Sequence, residues 1–305
     1  MILITGGSGL LGRTLQKYLK TEEEVLWLES SQADLRDKIQ VEELFDFYSP
    51  STVIHLAAKV GGILDNMKFP YEYYLDNILI NTNVIDECVK INSKVLAISS
   101  TCVYPAYSKT YPLKESQLHD GPAEPTNFAY AYAKRMMDVQ LTAAEKSYGL
   151  ESSILYLGNL YGEFDEYDNV NKSHLVPALI SKFHLAKETN QTEVELYGDG
   201  TPLRQFTLSD DVAKLICQML ENFQSGKFNV ACPDNLSISE IVNVVKGVVG
   251  YKGKIKYNGT ANGVLRKDVD CSRLLKHYPD VEFTSLENGT KYVYDKVKGK
   301  LLCGK

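Results

Sequence analysis

The stretch Thr5-Gly6-Gly7-Ser8-Gly9-Leu10-Leu11-Gly12 decides how this chain is interpreted, because an apolar run precedes it and an amphipathic stretch follows it. The run Ile2–Thr5 is typical of a buried strand, and Leu10–Leu19 has the spacing of a helix. Glycines in such a turn let the backbone approach a pyrophosphate, which the N–H groups at the helix start then stabilise. A glycine triplet in isolation is weak evidence and can serve packing alone. The strand before it and the helix after it are the context that dinucleotide binding requires.

Strand-like and helix-like segments alternate through the first half of the chain. The predicted strands, which are short and rich in β-branched or apolar residues, are Ile2–Thr5, Val25–Leu28, Thr52–Leu56, Lys94–Ser99 and Ser152–Leu157. The predicted helices between and after them are Leu10–Leu19, Val41–Tyr48, Ile78–Lys90 and Tyr130–Tyr148. This alternation predicts an α/β fold with a doubly wound parallel sheet of the Rossmann type. Ligands of such sheets lie in the crevice at the carboxyl ends of the strands.

The pattern changes after about residue 160, where connections rich in Gly, Asp and Asn separate helices predicted at 174–187, 209–223 and 238–248. The segments Val194–Tyr197 and Lys227–Val230 are predicted to return to the first sheet as strands. We therefore expect a dinucleotide-binding domain over residues 1–160 with returning segments at about 191–231. A smaller, discontinuous substrate-binding lobe is expected from 161–190 and 232–295, followed by a loosely held tail at 296–305.

Composition and charge exclude several classes of protein. The 305 residues (34.2 kDa) are 44% hydrophobic and 24% charged, as in an ordinary globular chain. A net charge of −6 disfavours binding to nucleic acid or to an anionic membrane, so an anionic ligand must be held by local positive charge or by helix ends. No apolar run approaches the roughly 20 residues of a membrane span, and the strand-like run at the start leaves no room for a signal peptide. Six cysteines without CxxC spacing predict no metal site and no disulfide framework, so a cytoplasmic protein is expected.

A second motif lies at the end of the fourth predicted strand and the start of the helix after it. Ser100 ends the strand, and Tyr130 and Lys134 share one helix face because they are four residues apart. A lysine ammonium lowers the pKa of a neighbouring phenol, and a strand-end serine can donate to the same substrate carbonyl. The YxxxK spacing alone is common, but the upstream serine and the glycine turn make it specific. Tyr132 is a competing tyrosine that lacks this spacing.

These residues resemble the catalytic trio of the extended short-chain dehydrogenases/reductases. The resemblance implies that Ser100 polarises a carbonyl, that Tyr130 transfers the proton, and that Lys134 tunes Tyr130 and contacts the nicotinamide ribose. It also implies a bound nicotinamide dinucleotide. The predicted cofactor contacts are Gly6, Ser8, Gly9, Leu10, Leu11, Gly12, Glu29, Ser30, Ala57, Tyr130 and Lys134.

Further segments resemble the GDP-L-fucose synthase family over about residues 1–295. They are Lys59–Ile63, Asn127, Tyr130–Gln140, Ser173–Pro177, Phe183–Lys187 and Gly198–Phe206, with the animal-type patterns STCxxP at Ser100–Pro105 and KRM at Lys134–Met136. The resemblance implies 3,5-epimerisation of GDP-4-keto-6-deoxy-D-mannose, followed by NADPH-dependent reduction of the 4-ketone to GDP-L-fucose. It also implies a homodimer in which the Asn77–Lys90 and Tyr130–Tyr148 helices of two subunits form a four-helix bundle.

The epimerase chemistry is implied by the same resemblance for Cys102 and His174. A 4-ketone acidifies the protons on C3 and C5, and epimerisation needs a base on one face of the sugar and an acid on the other. A thiol and an imidazole, with unperturbed pKa values near ~8.5 and ~6.5, can serve in these roles at neutral pH. From the residues alone, the alternatives are a small buried cysteine and a structural histidine. His55 and His184 are expected to be structural or, for His184, near the nucleotide.

Binding of the nucleotide sugar is predicted for Lys182, Tyr197, Arg204 and Lys267. Arg204 is the strongest phosphate candidate because a guanidinium pairs bidentately with phosphate, whereas Arg266 and Lys267 could equally be a solvated charge pair. For the cofactor, Glu29 at the end of the second strand would suit the ribose of NAD(H). Ser30 with Arg13 or Arg36 could instead hold the 2′-phosphate of NADP(H), which the family resemblance favours.

Two other functions remain open from the sequence. One is a 4-reductase, with or without epimerase activity, that acts on another nucleotide 4-keto-6-deoxy sugar, because the pocket loops could change the sugar while the motifs persist. The other is a redox-sensing binding module without catalysis, although such modules generally lack the tyrosine and the lysine. The segment Gly162–His174 carries one extra residue relative to the family and borders the predicted sugar pocket.

Overall fold

The computed structural model describes residues 1–168, 173–259 and 264–301. The strands are β1 (Ile2–Thr5), β2 (Val25–Leu28), β3 (Thr52–His55), β4 (Lys94–Ser100), β5 (Ser152–Leu157), β6 (Asn159–Tyr161), β7 (Glu193–Leu196), β8 (Leu203–Leu208), β9 (Gly226–Val230), β10 (Asn235–Ser237) and β11 (Lys254–Tyr257). The helices are α1 (Leu10–Tyr18), α2 (Lys38–Tyr48), α3 (Ile63–Lys68), α4 (Pro70–Ile91), α5 (Phe128–Tyr148), α6 (Leu175–Glu188), α7 (Ser209–Glu221), α8 (Ile238–Val249), α9 (Ser272–His277) and α10 (Leu286–Val297).

Six parallel strands form the central sheet in the order β2-β1-β3-β4-β5-β9. Both faces are covered, which explains why its strands are short apolar runs. Leu3 packs with Phe45 of α2 on one face, whereas Ile4 packs with Leu15 of α1 and Ile216 of α7 on the other. Burying one such aliphatic side chain contributes about 1.5–3 kcal/mol. The predicted doubly wound α/β fold is therefore confirmed.

The strand order reverses between β1 and β3, and a ligand crevice opens there at the carboxyl ends of the strands. The glycine turn lies at this point. Gly6 has φ +72°, and a Cβ on it would lie 2.9 Å from the backbone nitrogen of Ala57, which follows β3. A Cβ on Gly12 would overlap the carbonyl oxygen of Gly6. The glycines thus allow both the left-handed turn and the close packing of α1 against the ends of β1 and β3.

The smaller lobe is built from two small sheets and three helices. One sheet has the order β10-β8-β6 and the other pairs β11 with β7. Their apolar core is shared with α6, α8 and α10 and includes Phe183, Phe206, Val245 and Val293. No helix in the described ranges is long and apolar enough to cross a bilayer.

The expectation that Val194–Tyr197 returns to the first sheet is wrong. This segment is β7, and it pairs in parallel with β11 in the smaller lobe. Val194 and Leu196 are buried while Glu193 and Glu195 are exposed, so only one face of the strand is apolar. A central strand of the first sheet needs both faces apolar. The segment Lys227–Val230 does return, as part of β9 beside β5.

The predicted tail at 296–305 begins inside an ordered element. Helix α10 continues to Val297, and Val297 and Leu301 are 3% and 7% exposed in the core of the smaller lobe. A loosely held tail from residue 296 is therefore wrong for residues 296–301, because two apolar side chains anchor them. Residues 302–305 lie outside the described ranges.

We expect Gly6→Ala to destabilise the protein more than Gly149→Ala. Both glycines have φ near +70°, so each alanine costs about 1–2 kcal/mol of backbone strain. A Cβ at Gly149 meets no atom within 4 Å, whereas at Gly6 it meets the backbone of Ala57. Calorimetric unfolding should show the larger loss for Gly6→Ala, and equal losses would contradict the close approach.

Candidate active site

The predicted cofactor contacts come together at the carboxyl ends of β1, β2 and β3. The Oγ1 of Thr5 accepts a hydrogen bond from the backbone N–H of Ala57 at 3.1 Å, which ties the ends of β1 and β3. Helix α1 begins at Leu10 directly after Gly9, which has no side chain to cap the first N–H groups. Those N–H groups and the helix dipole form a site for a phosphate anion.

His55, the last residue of β3, lies beside Thr5 and is a structural residue. Its Nδ1 is 2.9 Å from Oγ1 of Thr5, and its Nε2 is 3.1 Å from Oδ1 of Asn81. Burial, together with the nearby Lys134 ammonium, lowers the pKa of His55 to about 3. The imidazole is therefore neutral, and its Nε2–H donates to Asn81 while its Nδ1 accepts from Thr5.

Glu29 and Ser30 are exposed immediately after β2, at the position predicted for the adenosine ribose. The two arginines considered for a 2′-phosphate have other contacts. Arg36 binds Asp34 through its Nε and Nη2 and lies 3.4 Å from Asp76. The guanidinium carbon of Arg13 lies 4.2 Å from the ring centre of Phe164.

Lys134 is nearly fully buried on α5, and its ammonium donates to the carbonyl oxygen of Ile98 in β4 at 3.0 Å. Burial lowers the pKa of Lys134 to about 8. Burial also raises the pKa of Tyr130 well above its usual range, and Cys102 and Tyr73 raise it further. The expectation that Lys134 lowers the pKa of Tyr130 stays a prediction, because the causes of this shift are burial, Cys102 and Tyr73. Tyr130 is held in its protonated form, which is the form that a proton donor needs.

Ser100 ends β4 and caps the short 3-10 helix Thr101–Val103. Its Oγ accepts a hydrogen bond from the backbone N–H of Cys102 at 3.2 Å. That bond leaves the hydroxyl hydrogen to donate elsewhere, which suits a group that polarises a carbonyl. Cys102 thus lies on the same turn as Ser100, two residues further along.

The Cys102 sulfur accepts a hydrogen bond from Nδ2 of Asn127 at 3.1 Å. Arg204 on β8 lies within electrostatic range of this sulfur. Burial lowers the pKa of Arg204, while Cys102 and Glu124 favour its charged form. The guanidinium Nη1 also donates to the carbonyl oxygens of Leu203 and Val264, both at 2.7 Å. The structure therefore brings the predicted phosphate ligand Arg204 toward the predicted base Cys102.

His174 stands directly before α6, and its Nδ1 is 3.4 Å from Oδ1 of Asp165. The Asp165 carboxylate is 6% exposed, and its second oxygen has no hydrogen-bond partner among the described residues. The hydrogen bond that His174 donates to the Asp165 carboxylate raises the pKa of His174, although burial opposes this. A raised pKa keeps more of the imidazole protonated near neutral pH, as a proton donor requires.

Helix α1 holds the loop that carries Asp165. Arg13 lies over Phe164 in this loop, and Lys17 pairs with Glu163 at 3.5 Å and with Asp210 at 2.7 Å. The helix that begins at the glycine turn therefore also positions the carboxylate beside His174.

The predicted sugar-nucleotide ligands lie mainly in the smaller lobe. The ammonium of Lys182 on α6 lies 5.7 Å from the ring centre of Tyr197, which follows β7, and the Tyr197 side chain is 67% exposed. Lys267 is half-buried between Arg266 and Asp268. Arg266 is paired with Asp268 through two hydrogen bonds, so it has a structural role in this segment.

Three contacts were not predicted from the sequence. They are Asp165 with His174, Asn127 with the Cys102 sulfur, and Tyr73 with Asp65 at 2.6 Å near Tyr130. Each joins residues from different elements, so spacing along the chain carries no signal for it. The only available indication was that Asp165 lies in the loop before His174, which the sequence had marked as bordering the sugar pocket.

Comparison with known proteins relates this geometry to a family. Residues 2–231 match the model of the NAD dependent epimerase/dehydratase family. GDP-L-fucose synthase of Dictyostelium discoideum is 36% identical over 299 residues, which cover 95% of this chain and 92% of that protein. GDP-L-colitose synthase of Yersinia pseudotuberculosis is 30% identical over 94% of both chains. The crystal structure of a GDP-L-fucose synthetase from Naegleria fowleri bound to NADP superimposes with a TM-score of 0.87 at 31% identity, covering 98% of this chain and 92% of that one.

We expect Asp165→Asn to lower the pKa of His174, because the substitution removes the carboxylate that stabilises the imidazolium. The titration of the His174 ring protons, followed by NMR and assigned with His174→Gln, should move to lower pH. His119, which pairs with Asp138, serves as the control, and its ring-proton signals should be the same in the variant and the wild type. An unchanged titration of His174 would show that Asp165 has no influence on it.

Proposed function

The chain belongs to the NAD dependent epimerase/dehydratase family, and on that premise we propose that it converts GDP-4-keto-6-deoxy-D-mannose to GDP-L-fucose. The reaction combines 3,5-epimerisation with NADPH-dependent reduction of the 4-ketone. The observation that carries the proposal is the position of Cys102, on the turn capped by Ser100 and close enough to influence Tyr130. A plain reductase needs no thiol at this point. The resemblance to the GDP-L-fucose synthase family is confirmed by the relatives matched over nearly the whole chain.

The cofactor site fits a nicotinamide dinucleotide phosphate. The turn at Gly6 leaves no room for a Cβ, and the uncapped start of α1 supplies N–H groups for the pyrophosphate. The Glu29 carboxylate is exposed, so solvent screens its repulsion toward a 2′-phosphate. Arg36 is the next arginine after Ser30 in the sequence. It could balance the negative charge of the 2′-phosphate if it gave up its exposed ion pair with Asp34. NAD(H) is the less favoured alternative.

The reduction uses three residues of the chain. The bound NADPH supplies a hydride for C4 of the sugar. The Ser100 hydroxyl donates a hydrogen bond to the C4 oxygen, and the Tyr130 phenol transfers its proton to that oxygen as the alcohol forms. Lys134 is anchored on Ile98 beneath the site, where its charge stabilises the phenolate that remains.

The epimerisation uses Cys102 and His174. The Cys102 thiolate takes a proton from C3 or C5, and the electron pair of the C–H bond passes into an enolate whose charge rests on the C4 oxygen. His174 in its protonated form returns a proton to the opposite face of the carbon. The contact with Asp165 favours that protonated form, so the imidazolium is available near neutral pH.

The GDP moiety is assigned to the smaller lobe, which was expected over residues 161–190 and 232–295 and which also includes β7 and β8. Arg204 and Lys267 would bind the diphosphate, and Lys182 with the exposed Tyr197 ring would hold the base or the sugar. These local cations provide what the net charge of −6 does not. We place the enzyme in the cytoplasm, because a reducing compartment preserves the thiolate base.

A second candidate function is reduction of another nucleotide 4-keto-6-deoxy sugar, with or without epimerisation. The relative named GDP-L-colitose synthase, which is 30% identical, favours keeping this alternative. The loop that ends at His174 is where the sugar specificity would differ.

The proposed function is tested on the products formed in D₂O. The substrate is made from GDP-mannose with its 4,6-dehydratase, NADPH is added, and the sugar is examined by NMR. The wild type should give GDP-L-fucose with deuterium at C3 and C5. Cys102→Ser should stop epimerisation, because a hydroxyl is too weak an acid to form the anion, and slow reduction should then give a 6-deoxyhexose of D-configuration at C5. His174→Gln should likewise reduce deuterium incorporation.

In the same assay Tyr130→Phe should slow reduction by about 10²–10⁴-fold, whereas the matched control Tyr132→Phe should not. Unchanged deuterium in both the Cys102 and His174 variants would make those residues structural. A wild type that reduces without incorporating deuterium would favour the second candidate function.

A homodimer is part of the proposal, because α4 and α5 carry large apolar side chains on their outer surfaces. The exposed residues are Tyr71, Tyr74, Phe128, Tyr132, Met136 and Val139. An apolar surface of this size on two adjacent helices is typical of a subunit interface.

We expect light scattering at micromolar concentration to give twice the monomer mass of 34.2 kDa. Val139→Glu should shift the mass to the monomer, because it places a charge in the interface. Phe47→Glu on α2, where Phe47 is 80% exposed, is the matched control and should leave the dimer intact. A wild-type monomer would exclude the dimer.

A further inference from the structure

Asn127 occupies a position where its residue type usually has a different role. It stands directly before α5, and asparagine at this position normally caps the helix by accepting a backbone N–H. Its side chain makes no capping bond here. Instead Nδ2 donates to the Cys102 sulfur at 3.1 Å, and Oδ1 is buried without a hydrogen-bond partner among the described residues. A favourable cap has thus been replaced by a contact to sulfur.

The turn that carries Cys102 cannot move away from this contact easily. On one side the N–H of Cys102 is bound to Oγ of Ser100. On the other side Arg135 of α5, which is 4% exposed, donates from Nε to the carbonyl oxygen of Val103 at 2.5 Å and from Nη1 to that of Gly121 at 2.8 Å. The sulfur is therefore held at a fixed position relative to Asn127.

The ionisable groups near Cys102 come from three elements. Tyr130 faces it from α5, Arg204 from β8, and Glu124 acts on Arg204 from the segment before α5. The guanidinium of Arg204 donates from Nη1 to two backbone carbonyls. Asn127 is the group whose hydrogen bond to the sulfur is directly observed.

We propose that Asn127 is a positioning residue that stabilises the thiolate of Cys102 by donating an N–H hydrogen bond to its sulfur. A thiolate is a much better acceptor than a thiol, so such a bond favours the ionised form. In the proposed reaction the thiolate forms an S–H bond as the sugar C–H bond breaks and the electron pair enters the enolate. Because the reactivity of a thiolate falls less steeply with its pKa than the ionised fraction rises, the net effect near neutral pH is faster proton removal.

The inference rests on the proposed function for its meaning but can be tested without substrate. The probe is iodoacetamide, and alkylation of Cys102 is followed by mass spectrometry of the tryptic peptide 95–109, as a function of pH. The midpoint is the pH at which alkylation of Cys102 reaches half its maximal rate. In Asn127→Ala this midpoint should rise by about one to two pH units, which lowers the alkylation rate at neutral pH by about tenfold or more. Asn127→Asp should raise it further, because a carboxylate repels the thiolate and cannot donate.

Two further variants serve as controls for this experiment. Thr126→Ala is the neighbouring control, since its hydroxyl contacts Glu124 and not the sulfur, and its midpoint should equal that of the wild type. Asn127→Asp preserves side-chain size and capping ability, so it answers the question even if Asn127→Ala unfolds. An unchanged or lowered midpoint in the Asn127 variants would overturn the inference.

The same variants separate this inference from the proposed function. If the function is correct, the Asn127 variants should lose deuterium incorporation at C3 and C5 more strongly than the rate of NADPH oxidation. If the sugar has been assigned wrongly, product formation fails in the wild type while the shift in the alkylation midpoint remains.

Discussion

Two adjacent buried cations determine the geometry on which this molecule depends. Lys134 donates to the carbonyl oxygen of Ile98, and Arg135 donates to that of Val103. These two carbonyls flank the turn that carries Ser100 and Cys102. Burying a cation is costly unless it is hydrogen-bonded, so these two bonds favour the register in which α5 docks on β4. The distance between the phenol of Tyr130 and the turn is set by that docking.

The pKa values of Lys134 and His174 are shifted in opposite directions for different reasons. Burial alone lowers the pKa of Lys134, whereas the neighbouring Asp165 raises that of His174 against the effect of burial. In the proposed reaction Lys134 need only stabilise a neighbouring anion. In the same proposal His174 must carry a proton and deliver it. The crevice thus places Lys134 in a low-dielectric environment and His174 beside a carboxylate.

The sequence predicted the central sheet well because its signals are local. Apolar runs marked β1 to β5, and the glycine turn and the Tyr130–Lys134 spacing marked the residues at their ends. It failed where pairing is not local. Strand β7 was assigned to the wrong sheet although its alternation with Glu193 and Glu195 showed a one-sided strand, and α10 was missed where Val297 and Leu301 anchor the end of the chain. The contacts of Asp165 and Asn127 were not predicted, because hydrogen bonds made by loop residues leave no periodicity in the sequence.

Helix α1 connects the proposed cofactor site to the loop 163–165, which carries Asp165. The first turn of α1 is the proposed phosphate site, while Arg13 and Lys17 of the same helix contact Phe164 and Glu163 next to Asp165. Exchanging residues 10–18 for those of a homologue, with the native loop kept, would remove these contacts and disturb the placement of Asp165 beside His174. A change made in α1 to alter the proposed cofactor site would therefore also reach the proposed acid of the epimerisation.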